Sequence, residues 1–326
     1  MHFHTPTGTV KAVDGVSFSL DAGRTLAIVG ESGSGKTVSV LSMMGLVPKP
    51  PGRLEGGTAL YKGRDLLRMP NEELRQIRGK EIAMIFQDPL TALNPVHRVG
   101  NQIIEMIRAH DPVNKQAAKV RAIELLATVG IPNPAERVDG YPHEFSGGMR
   151  QRAMIAMALA LNPAILIADE PTTALDVTVQ AQILDLLKSL QEQFGMGLIM
   201  ITHDLGVVAQ IADEILVMYA GRMVERGTPE GVFYRPQHPY TWGLLGSIPR
   251  MGEETRDEKL VSIPGMPPSL MKVPPGCPFH PRCSFRFEPC DKERPELELR
   301  DEHEDACWLS LEEKIAGREQ ILGVRA

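Results

Sequence analysis

The feature that most constrains how this chain can fold is a glycine-rich octapeptide near the N-terminus, Gly30-Glu31-Ser32-Gly33-Ser34-Gly35-Lys36-Thr37. It follows an apolar run at 25–29 and precedes a plausible helix at 38–46. A strand, a glycine-rich turn ending in Gly-Lys-Thr and a helix are the context that a phosphate-binding loop requires. The glycines let backbone N–H groups point inward around phosphate oxygens, and the helix N-terminus adds partial positive charge. The octapeptide therefore predicts an α/β fold that binds a nucleotide, with Lys36 on the β- and γ-phosphates and Thr37 on Mg²⁺.

Length and composition narrow the class of protein. The chain has 326 residues, 43% hydrophobic and 23% charged, which allows one large domain and a smaller one. The net charge is −6 and no basic tract stands out, so nucleic acid is not an expected partner. No apolar run approaches the roughly 18–20 residues of a membrane span, and the N-terminus lacks the apolar core of a signal peptide. We therefore expect a cytosolic protein with reduced thiols.

Short apolar or alternating runs predict the strands, and helical periodicity predicts a helical insert. The predicted strands lie at 16–20, 58–61, 81–86, 165–168, 198–202, 215–219 and 222–225. Predicted helices lie at 71–78, 100–109, 115–129, 149–161 and 177–193, with Ser146 as N-cap of the fourth and with apolar Val120, Ile123 and Leu126 on one face of the third. Residues from about 90 to 160 thus form the insert. More strand is expected before Phe3, which predicts either a short edge strand or a start codon further upstream.

Two acidic residues follow the predicted strand at 165–168. Asp169 and Glu170 stand where parallel α/β sheets form their sites, at the carboxyl end of a buried strand. Asp169 can hold Mg²⁺, and Glu170 can polarise the water that attacks the γ-phosphate. A solvated acidic turn is the plain alternative, but behind a phosphate loop the functional interpretation is favoured.

Gln87 and His203 each follow another buried strand. Gln87 is a candidate to bind Mg²⁺ or the attacking water. His203 is a candidate to form a hydrogen bond with the γ-phosphate. The alternative for a lone histidine at a strand end is a satisfied structural residue.

At this point the motifs resemble those of one family, the ABC-type ATPases. The run Phe145-Ser146-Gly147-Gly148-Met149-Arg150-Gln151-Arg152 is similar to its signature sequence. The phosphate loop, Gln87, Asp169-Glu170, Ala174-Leu175-Asp176 and Thr202-His203-Asp204 accompany it in the order of that family. The resemblance covers residues from about 3 to 235.

The resemblance implies an ATPase that works as a head-to-tail dimer with two ATP molecules at its interface. Ser146, Gly147 and Gly148 would contact the γ-phosphate held by the other subunit, and Asp176 would lie across the interface. Met149 stands where many family members have Gln. An aromatic residue that stacks on adenine is expected upstream of the phosphate loop, and Phe3 is the candidate.

The tail resembles a narrower group. Ser262-Ile263-Pro264-Gly265 and Pro274-Pro275-Gly276-Cys277-Pro278-Phe279-His280-Pro281-Arg282-Cys283 are similar to the C-terminal extension of oligopeptide/dipeptide importer ATPases, much of which nickel importers share. All four cysteines of the chain lie in this tail, at Cys277, Cys283, Cys290 and Cys307. No Cys-x-x-Cys pair is present, so zinc-ribbon spacing is not matched. The resemblance implies a [4Fe–4S] cluster, which Cys₄ ligation fits; Zn²⁺ or free buried thiols are the alternatives.

Together these patterns predict an ABC ATPase cassette at 1–235, with a mixed sheet core, an antiparallel β part and the helical insert, and a small Cys-rich extension at 236–326. The resemblance implies an ATP-hydrolysing subunit that energises peptide import, peripheral on the cytoplasmic face of a bacterial inner membrane. Its implied partners are a second ATPase subunit, identical or not, two transmembrane permease subunits and, indirectly, an extracytoplasmic solute-binding protein. The alternatives are a nickel or other small-solute importer and a soluble ABC ATPase acting on DNA or ribosomes.

Overall fold

The computed structural model describes residues 1–173, 175–248, 262–300 and 303–323. It divides into two compact units. The phosphate-loop unit comprises Met1–Ser19, Leu26–Gly57 and His203–Ala326. The helical unit comprises Leu20–Thr25 and Thr58–Thr202. Residue Ala174, one of the predicted motif residues, lies outside the described part of the chain.

The strands of the described chain are mostly short. In chain order they are β1 His2–Thr5, β2 Gly8–Val10, β3 Thr25–Val29, β4 Gly52–Arg53, β5 Leu60–Tyr61, β6 Arg64–Asp65, β7 Ile82–Ile85, β8 Ile165–Asp169, β9 Gly197–Thr202, β10 Glu214–Tyr219, β11 Arg222–Gly227, β12 Glu298–Arg300 and β13 His303–Asp305.

The helices range from single turns to five turns. In chain order they are α1 Lys36–Met43, α2 Asn71–Ile77, α3 Pro89–Ala92, α4 Val99–His110, α5 Lys115–Thr128, α6 Pro134–Arg137, α7 Gly147–Ala158, α8 Val177–Phe194, α9 Leu205–Ile211, α10 Pro229–Tyr234, α11 Pro239–Gly246 and α12 Leu311–Leu322. Two short 3-10 turns add Pro142–Glu144 and His280–Arg282.

In the phosphate-loop unit the sheet is mixed, as the sequence predicts. β3 runs parallel to β10, whereas β10, β11, β13 and β12 follow one another in antiparallel pairing. A second, small antiparallel sheet joins β2, β1 and β4. The predicted hairpin at 215–225 is therefore present as β10 and β11.

The core of this unit draws on both ends of the chain. Ala27 and Val29 of β3 lie in one buried cluster with Trp242 of α11 and with Phe279 and Leu309 of the tail. The tail therefore buries its apolar side chains in the same core as the strand that leads into the phosphate loop. The domain boundary predicted at 235 remains a prediction. Residues 249–261, in the first part of the predicted extension, lie outside the described residues.

In the helical unit, β7, β8 and β9 form parallel pairs. The residues between β7 and β8 contain α3 to α7, and α4, α5 and α7 pack on one another. This is the predicted helical insert. Of the apolar face predicted for α5, Leu126 is buried and Val120 is 48% exposed; the other buried residues of this helix are Ala118, Ala122 and Leu125.

The predicted strand at 16–20 is wrong. Burial does alternate there between half-buried and exposed, but the residues are not assigned to a strand. Neighbouring backbone groups are used elsewhere: Asp14 N–H donates to Gly221 O at 2.8 Å, and Met223 N–H donates to Gly15 O at 3.3 Å. Alternation specifies which side chains face inward, but a strand also needs a continuous ladder of backbone partners.

Candidate nucleotide site

The phosphate loop lies in the phosphate-loop unit, between β3 and α1. Gly30 has φ of 147° and Gly35 has φ of 103°, a region that favours glycine. A Cβ at Gly30 would lie 2.2 Å from Met218 O, and one at Gly35 would lie 2.2 Å from Ala12 O. Both positions therefore require glycine for backbone conformation and for space. The N-terminus of α1 has no side-chain cap and no acidic residue in its first turn, as a helix end that receives phosphate oxygens needs.

Lys36 is the buried cation of this loop, 5% exposed. Its Nζ donates to Gly30 O at 2.8 Å and to Glu31 O at 3.0 Å. The Ser34 hydroxyl, also buried, has no hydrogen-bond partner in the described structure. A cation lined by carbonyl oxygens and an unsatisfied hydroxyl at a helix N-terminus fit a polyphosphate group chemically.

The acidic pair lies in the helical unit, at the end of β8. Asp169 is the last residue of that strand and is 3% exposed. Glu170 follows with φ of 47°, and its N–H donates to Ile201 O at 2.8 Å. Glu170 Oε2 accepts hydrogen bonds from Gln87 Nε2 at 3.0 Å and from Thr173 Oγ1 at 2.9 Å. Two residues that the sequence proposed separately, Gln87 and Glu170, are thus in direct contact.

His203 directly follows β9, and its side chain is exposed. The next residue, Asp204, caps α9 by accepting hydrogen bonds from Gly206 N–H at 2.8 Å and Val207 N–H at 3.3 Å. The strand end and the helix cap together hold the backbone on both sides of His203. Its predicted role at the γ-phosphate remains a prediction.

The signature sequence opens α7, as predicted. Ser146 Oγ caps the helix by accepting from Met149 N–H at 3.3 Å, and Gly147 and Gly148 form the first turn. A Cβ at Gly148 would come within 2.9 Å of Val179 Cγ1 in α8. Asp176 caps α8 with a 2.9 Å bond from Val179 N–H. The structure therefore brings the two motifs side by side, with Ser146 and Asp176 both exposed.

Phe3, the candidate for stacking on adenine, is half-buried in β1 and pairs with Val10 of β2 and Gly52 of β4. This pairing places it at the centre of the small antiparallel sheet. Its predicted role is not tested by these contacts.

The four cysteines of the tail line one cavity, together with aromatic side chains that include Phe279, Phe285 and Trp308. Burial raises the pKa of Cys277 and of Cys283 to about 11, and that of Cys307 to about 12. Among the described residues, no group of three or more His, Cys, Asp or Glu side chains is arranged to hold a metal ion. The chemistry of four thiols suits an iron–sulfur cluster or zinc, and in this structure the four cysteines are half-buried, free thiols.

Sequence reasoning missed two residues that contact the phosphate loop. Arg282 donates to both carboxylate oxygens of Glu31, at 2.7 and 3.0 Å, and the Tyr240 hydroxyl accepts from Glu31 N–H at 2.8 Å. Burial acts to lower the pKa of Arg282, but its hydrogen bonds to Glu31 and Tyr219 outweigh burial and raise it. In the sequence Arg282 stands directly before Cys283, so its position suggested a link to the cysteines and not to the phosphate loop.

The phosphate loop, the Asp-Glu pair at a strand end and the serine-capped glycine helix define an ATP-binding protein of the ABC type. The family described as "ABC transporter" matches residues 13–173, and "Oligopeptide/dipeptide transporter, C-terminal region" matches residues 224–290. The chain belongs to the oligopeptide/dipeptide transport ATP-binding branch of the ABC transporter family.

Relatives of this branch match over nearly the whole chain. The oligopeptide transport ATP-binding protein OppD of Bacillus subtilis is 54% identical over 94% of this chain and 86% of its own length. The dipeptide transport ATP-binding protein DppD of the same organism is 54% identical over 94% of this chain and 91% of its own. OppD of Escherichia coli is 51% identical over 96% of this chain and 92% of its own length.

Solved structures agree on the fold. The ATP-binding cassette MJ0796, a dimer bound to ADP and Pi in a post-hydrolysis state, matches with a TM-score of 0.62 and 26% identity, over 70% of this chain and 95% of that one. CbiO1 from Clostridium perfringens, part of the ABC transporter complex cbiONQ, matches with a TM-score of 0.60 and 27% identity. The match covers 72% of this chain and 88% of that one. In the part of this chain that the structure describes, no helix is long and apolar enough to cross a membrane.

Proposed function

We propose that this chain is the ATP-hydrolysing subunit of a bacterial peptide importer, bound to the cytoplasmic face of the inner membrane. The observation that carries the proposal is the contact of Gln87 with Glu170 at the end of β8, in a chain that also holds a complete phosphate loop. Relatives at 54% identity named for oligopeptide and dipeptide transport support peptides as the solute.

The phosphate loop is proposed to hold the phosphates of the nucleotide. Backbone N–H groups of Gly33 to Thr37 would hold phosphate oxygens, and the Lys36 ammonium would offset the charge of the β- and γ-phosphates. The Thr37 hydroxyl, Gln87 and Asp169 are the proposed ligands of Mg²⁺, which would neutralise the charge that develops on the phosphates. Phe3 is proposed to stack on adenine.

Glu170 is the proposed general base. Its carboxylate would accept a proton from the water that attacks the γ-phosphate, and the hydrogen bonds from Gln87 and Thr173 would hold it in one orientation. His203 is proposed to donate a hydrogen bond to the γ-phosphate, which would help to align that group for in-line attack.

The remaining motif residues need a second subunit. Ser146, Gly147 and Gly148 are exposed or half-buried at the N-terminus of α7, which suits contact with a γ-phosphate held by a partner ATPase subunit. Asp176, exposed beside them, would face the same interface. Closure of the dimer on ATP would be passed to two permease subunits, which receive peptide from a solute-binding protein.

The experiment is an ATPase assay on the complete transporter in lipid vesicles. Peptide-loaded binding protein is expected to raise the turnover several-fold over binding protein without peptide. Equal rates with and without peptide would contradict a coupled peptide importer.

A nickel or other small-solute importer is distinguished by the ligand. Binding protein loaded with Ni²⁺ instead of peptide should leave the ATPase rate at its basal value. Stimulation by Ni²⁺ and not by peptide would support that alternative. Stimulation by DNA or ribosomes, with no response to the binding protein, would support the soluble ATPase.

For the tail we propose a [4Fe–4S] cluster held by Cys277, Cys283, Cys290 and Cys307. The support is that all four thiols line one cavity in a Pro-rich segment with little apolar core of its own. The raised pKa values of Cys277, Cys283 and Cys307 mean that these three thiols stay protonated near neutral pH without metal, so their ligation would release protons. When bound, the cluster would supply cross-links to the tail.

Metal analysis of protein purified without oxygen tests this site. We expect brown protein with about four irons per chain, as a Cys₄-ligated cubane requires, and a loss of iron in each Cys→Ser variant. One equivalent of zinc in colourless protein would support the Zn²⁺ alternative. Metal-free protein whose tail resists proteolysis would show that the thiols are simply buried.

A further inference from the structure

Glu31 of the phosphate loop is held at three points. Its carboxylate accepts two hydrogen bonds from Arg282, its N–H donates to the Tyr240 hydroxyl, and its carbonyl oxygen accepts from Lys36 Nζ at 3.0 Å. The Lys36 contact links Glu31 to the cation that is proposed to bind the phosphates. A displacement of Glu31 would therefore move one of the carbonyl acceptors that orient the Lys36 ammonium.

Arg282 is itself held rigidly. It is 7% exposed, and its Nε donates to Pro264 O at 2.9 Å, while Nη1 also reaches Tyr219 Oη at 3.4 Å. The guanidinium lies 5.9 Å from the ring centroid of Tyr219 and 6.0 Å from that of Phe279. These contacts restrict the conformations of the Arg282 side chain. The planar guanidinium therefore loses little conformational entropy when it binds the Glu31 carboxylate in bidentate geometry.

The charge of this pair matters for a nucleotide. An unpaired carboxylate within the phosphate loop would repel the polyphosphate, and the side chain of Glu31 is only 25% exposed, so water would screen that repulsion poorly. Arg282 offsets the charge and holds the carboxylate at the same time. The Tyr240 hydroxyl accepts the hydrogen bond of the Glu31 N–H and so holds the backbone at the same residue.

We propose that Arg282, contributed by the cysteine-bearing tail, is a positioning residue of the nucleotide site, which acts through Glu31 to set the geometry of the phosphate loop. Tyr240 is the second positioning residue, acting on the same loop residue through its backbone. This rests on the proposed function, because positioning the loop matters only if it binds nucleotide. The tail thereby contributes to nucleotide affinity without touching nucleotide.

The test is calorimetry of the full-length chain with MgADP and with a non-hydrolysable ATP analogue. Arg282→Lys keeps the charge but loses the bidentate geometry, and Glu31→Gln keeps the size but loses the charge. Each is expected to raise Kd for both nucleotides about tenfold, as for a weakened charge-assisted hydrogen bond, because the loss of loop geometry outweighs the removal of the negative charge in Glu31→Gln. Because both changes break one contact, the double variant should bind about as weakly as either single one.

A second bidentate pair in the same unit provides the matched control. Arg226 Nε and Nη2 donate to the two carboxylate oxygens of Glu214 at 2.8 and 3.1 Å. Arg226→Lys and Glu214→Gln should leave Kd within twofold of the wild-type value. In the assembled transporter, Arg282→Lys should raise KM for ATP about tenfold and leave kcat within twofold, a split that general loss of folded protein would not produce.

The outcomes separate this inference from the function it rests on. If neither the wild-type chain nor Lys36→Ala binds nucleotide, the proposed function fails. If the wild-type chain binds, Lys36→Ala does not, and folded Arg282→Lys binds like wild type, the positioning role is wrong. If Arg282→Lys does not fold, Tyr240→Phe decides, since it deletes only the hydroxyl that accepts from Glu31: an unchanged Kd in that variant would overturn the proposal.

Discussion

The left-handed backbone conformation of Glu170 determines where its carboxylate lies. A non-glycine residue with φ of 47° costs about 1–3 kcal/mol, and it persists only where the surroundings determine it. Here the hydrogen bond from Glu170 N–H to Ile201 O holds the turn directly after β8. The carboxylate of Glu170 consequently contacts Gln87 and Thr173.

Replacing Glu170 by Gln should abolish ATP hydrolysis and keep ATP binding. The amide preserves the size of the side chain but cannot accept the proton of the attacking water, so turnover should fall by about 10²–10⁴-fold. ATP should accumulate in a closed dimer, which size-exclusion chromatography with ATP detects. Glu192→Gln, the same change on the exposed face of α8, is the control; near-normal turnover in Glu170→Gln would show that another group is the base.

At the element scale, α11 is capped by a buried histidine that must stay neutral. His238 Nδ1 accepts a hydrogen bond from Tyr240 N–H at 3.1 Å, which a proton on Nδ1 would prevent. Burial lowers the pKa of His238 to about 4, opposed by the charge of Glu225 and reinforced by that of Lys314. The helix start therefore depends on a side chain that takes up a proton when the chain unfolds.

This cap predicts a pH dependence of stability. Because the folded-state pKa is lower than the unfolded value of about 6.5, the unfolded chain binds more protons between about pH 4 and 6.5. Stability from His238 is thus complete above pH 6.5 and declines as the pH falls, by about 3 kcal/mol at pH 4. Urea unfolding measures this against His238→Asn, which keeps a cap acceptor but does not titrate, at equal metal content. Parallel pH profiles of the two proteins would contradict the prediction.

The last helix, α12, is held by a buried ion pair. Lys314 Nζ donates to both oxygens of Asp305 at 2.7 and 2.8 Å, and both side chains are almost fully buried. Burial raises the pKa of Asp305 despite the pairing with Lys314. Ionised Asp305 is thus an electrostatic cost that the pair only partly offsets.

Replacing one partner of this ion pair should lower the free energy of unfolding more than replacing both partners by apolar residues. Asp305→Asn leaves Lys314 buried without its counter-charge and should lower the free energy of unfolding by about 3–5 kcal/mol. The double change Asp305→Leu with Lys314→Met should restore most of that loss. Urea unfolding measures both, with the exposed Glu319→Gln as control. Equal losses in the single and double variants would indicate that the pair itself is stabilising.

At the scale of the whole molecule, the tail and the strand before the phosphate loop share one core. Trp242 and Tyr240 are fully buried, and Phe279 packs at 5.3 Å from the Tyr219 ring and 5.4 Å from the Tyr240 ring, between centroids. Losing one such aromatic side chain from a core costs about 3–5 kcal/mol. The tail is thus part of what keeps the phosphate-loop unit folded.

A chain that ends after Arg235 should therefore fold poorly. It loses α11, the cysteine segment and α12, and it exposes the apolar side chains of β3 and β10 that they cover. We expect it to aggregate or to unfold at least 10 °C below the full chain, since several buried aromatic side chains are lost together. Thermal unfolding and limited proteolysis measure this; a truncated protein as stable as the full chain would support the independent domain boundary at 235.

Features that depend on short contiguous runs of residues could be predicted from the sequence. The glycines of the phosphate loop, the Ser146 cap and the acidic pair after β8 were all predictable, because local conformation and chemistry depend on neighbouring residues. Contacts between residues far apart in the sequence could not be predicted. Arg282 and Glu31, which are hydrogen-bonded, are 251 positions apart, and neither the exposure of Val120 nor the absence of a strand at 16–20 follows from the local pattern. Backbone pairing and burial depend on the path of the whole chain, because they join residues separated by long loops, and no local pattern specifies that path.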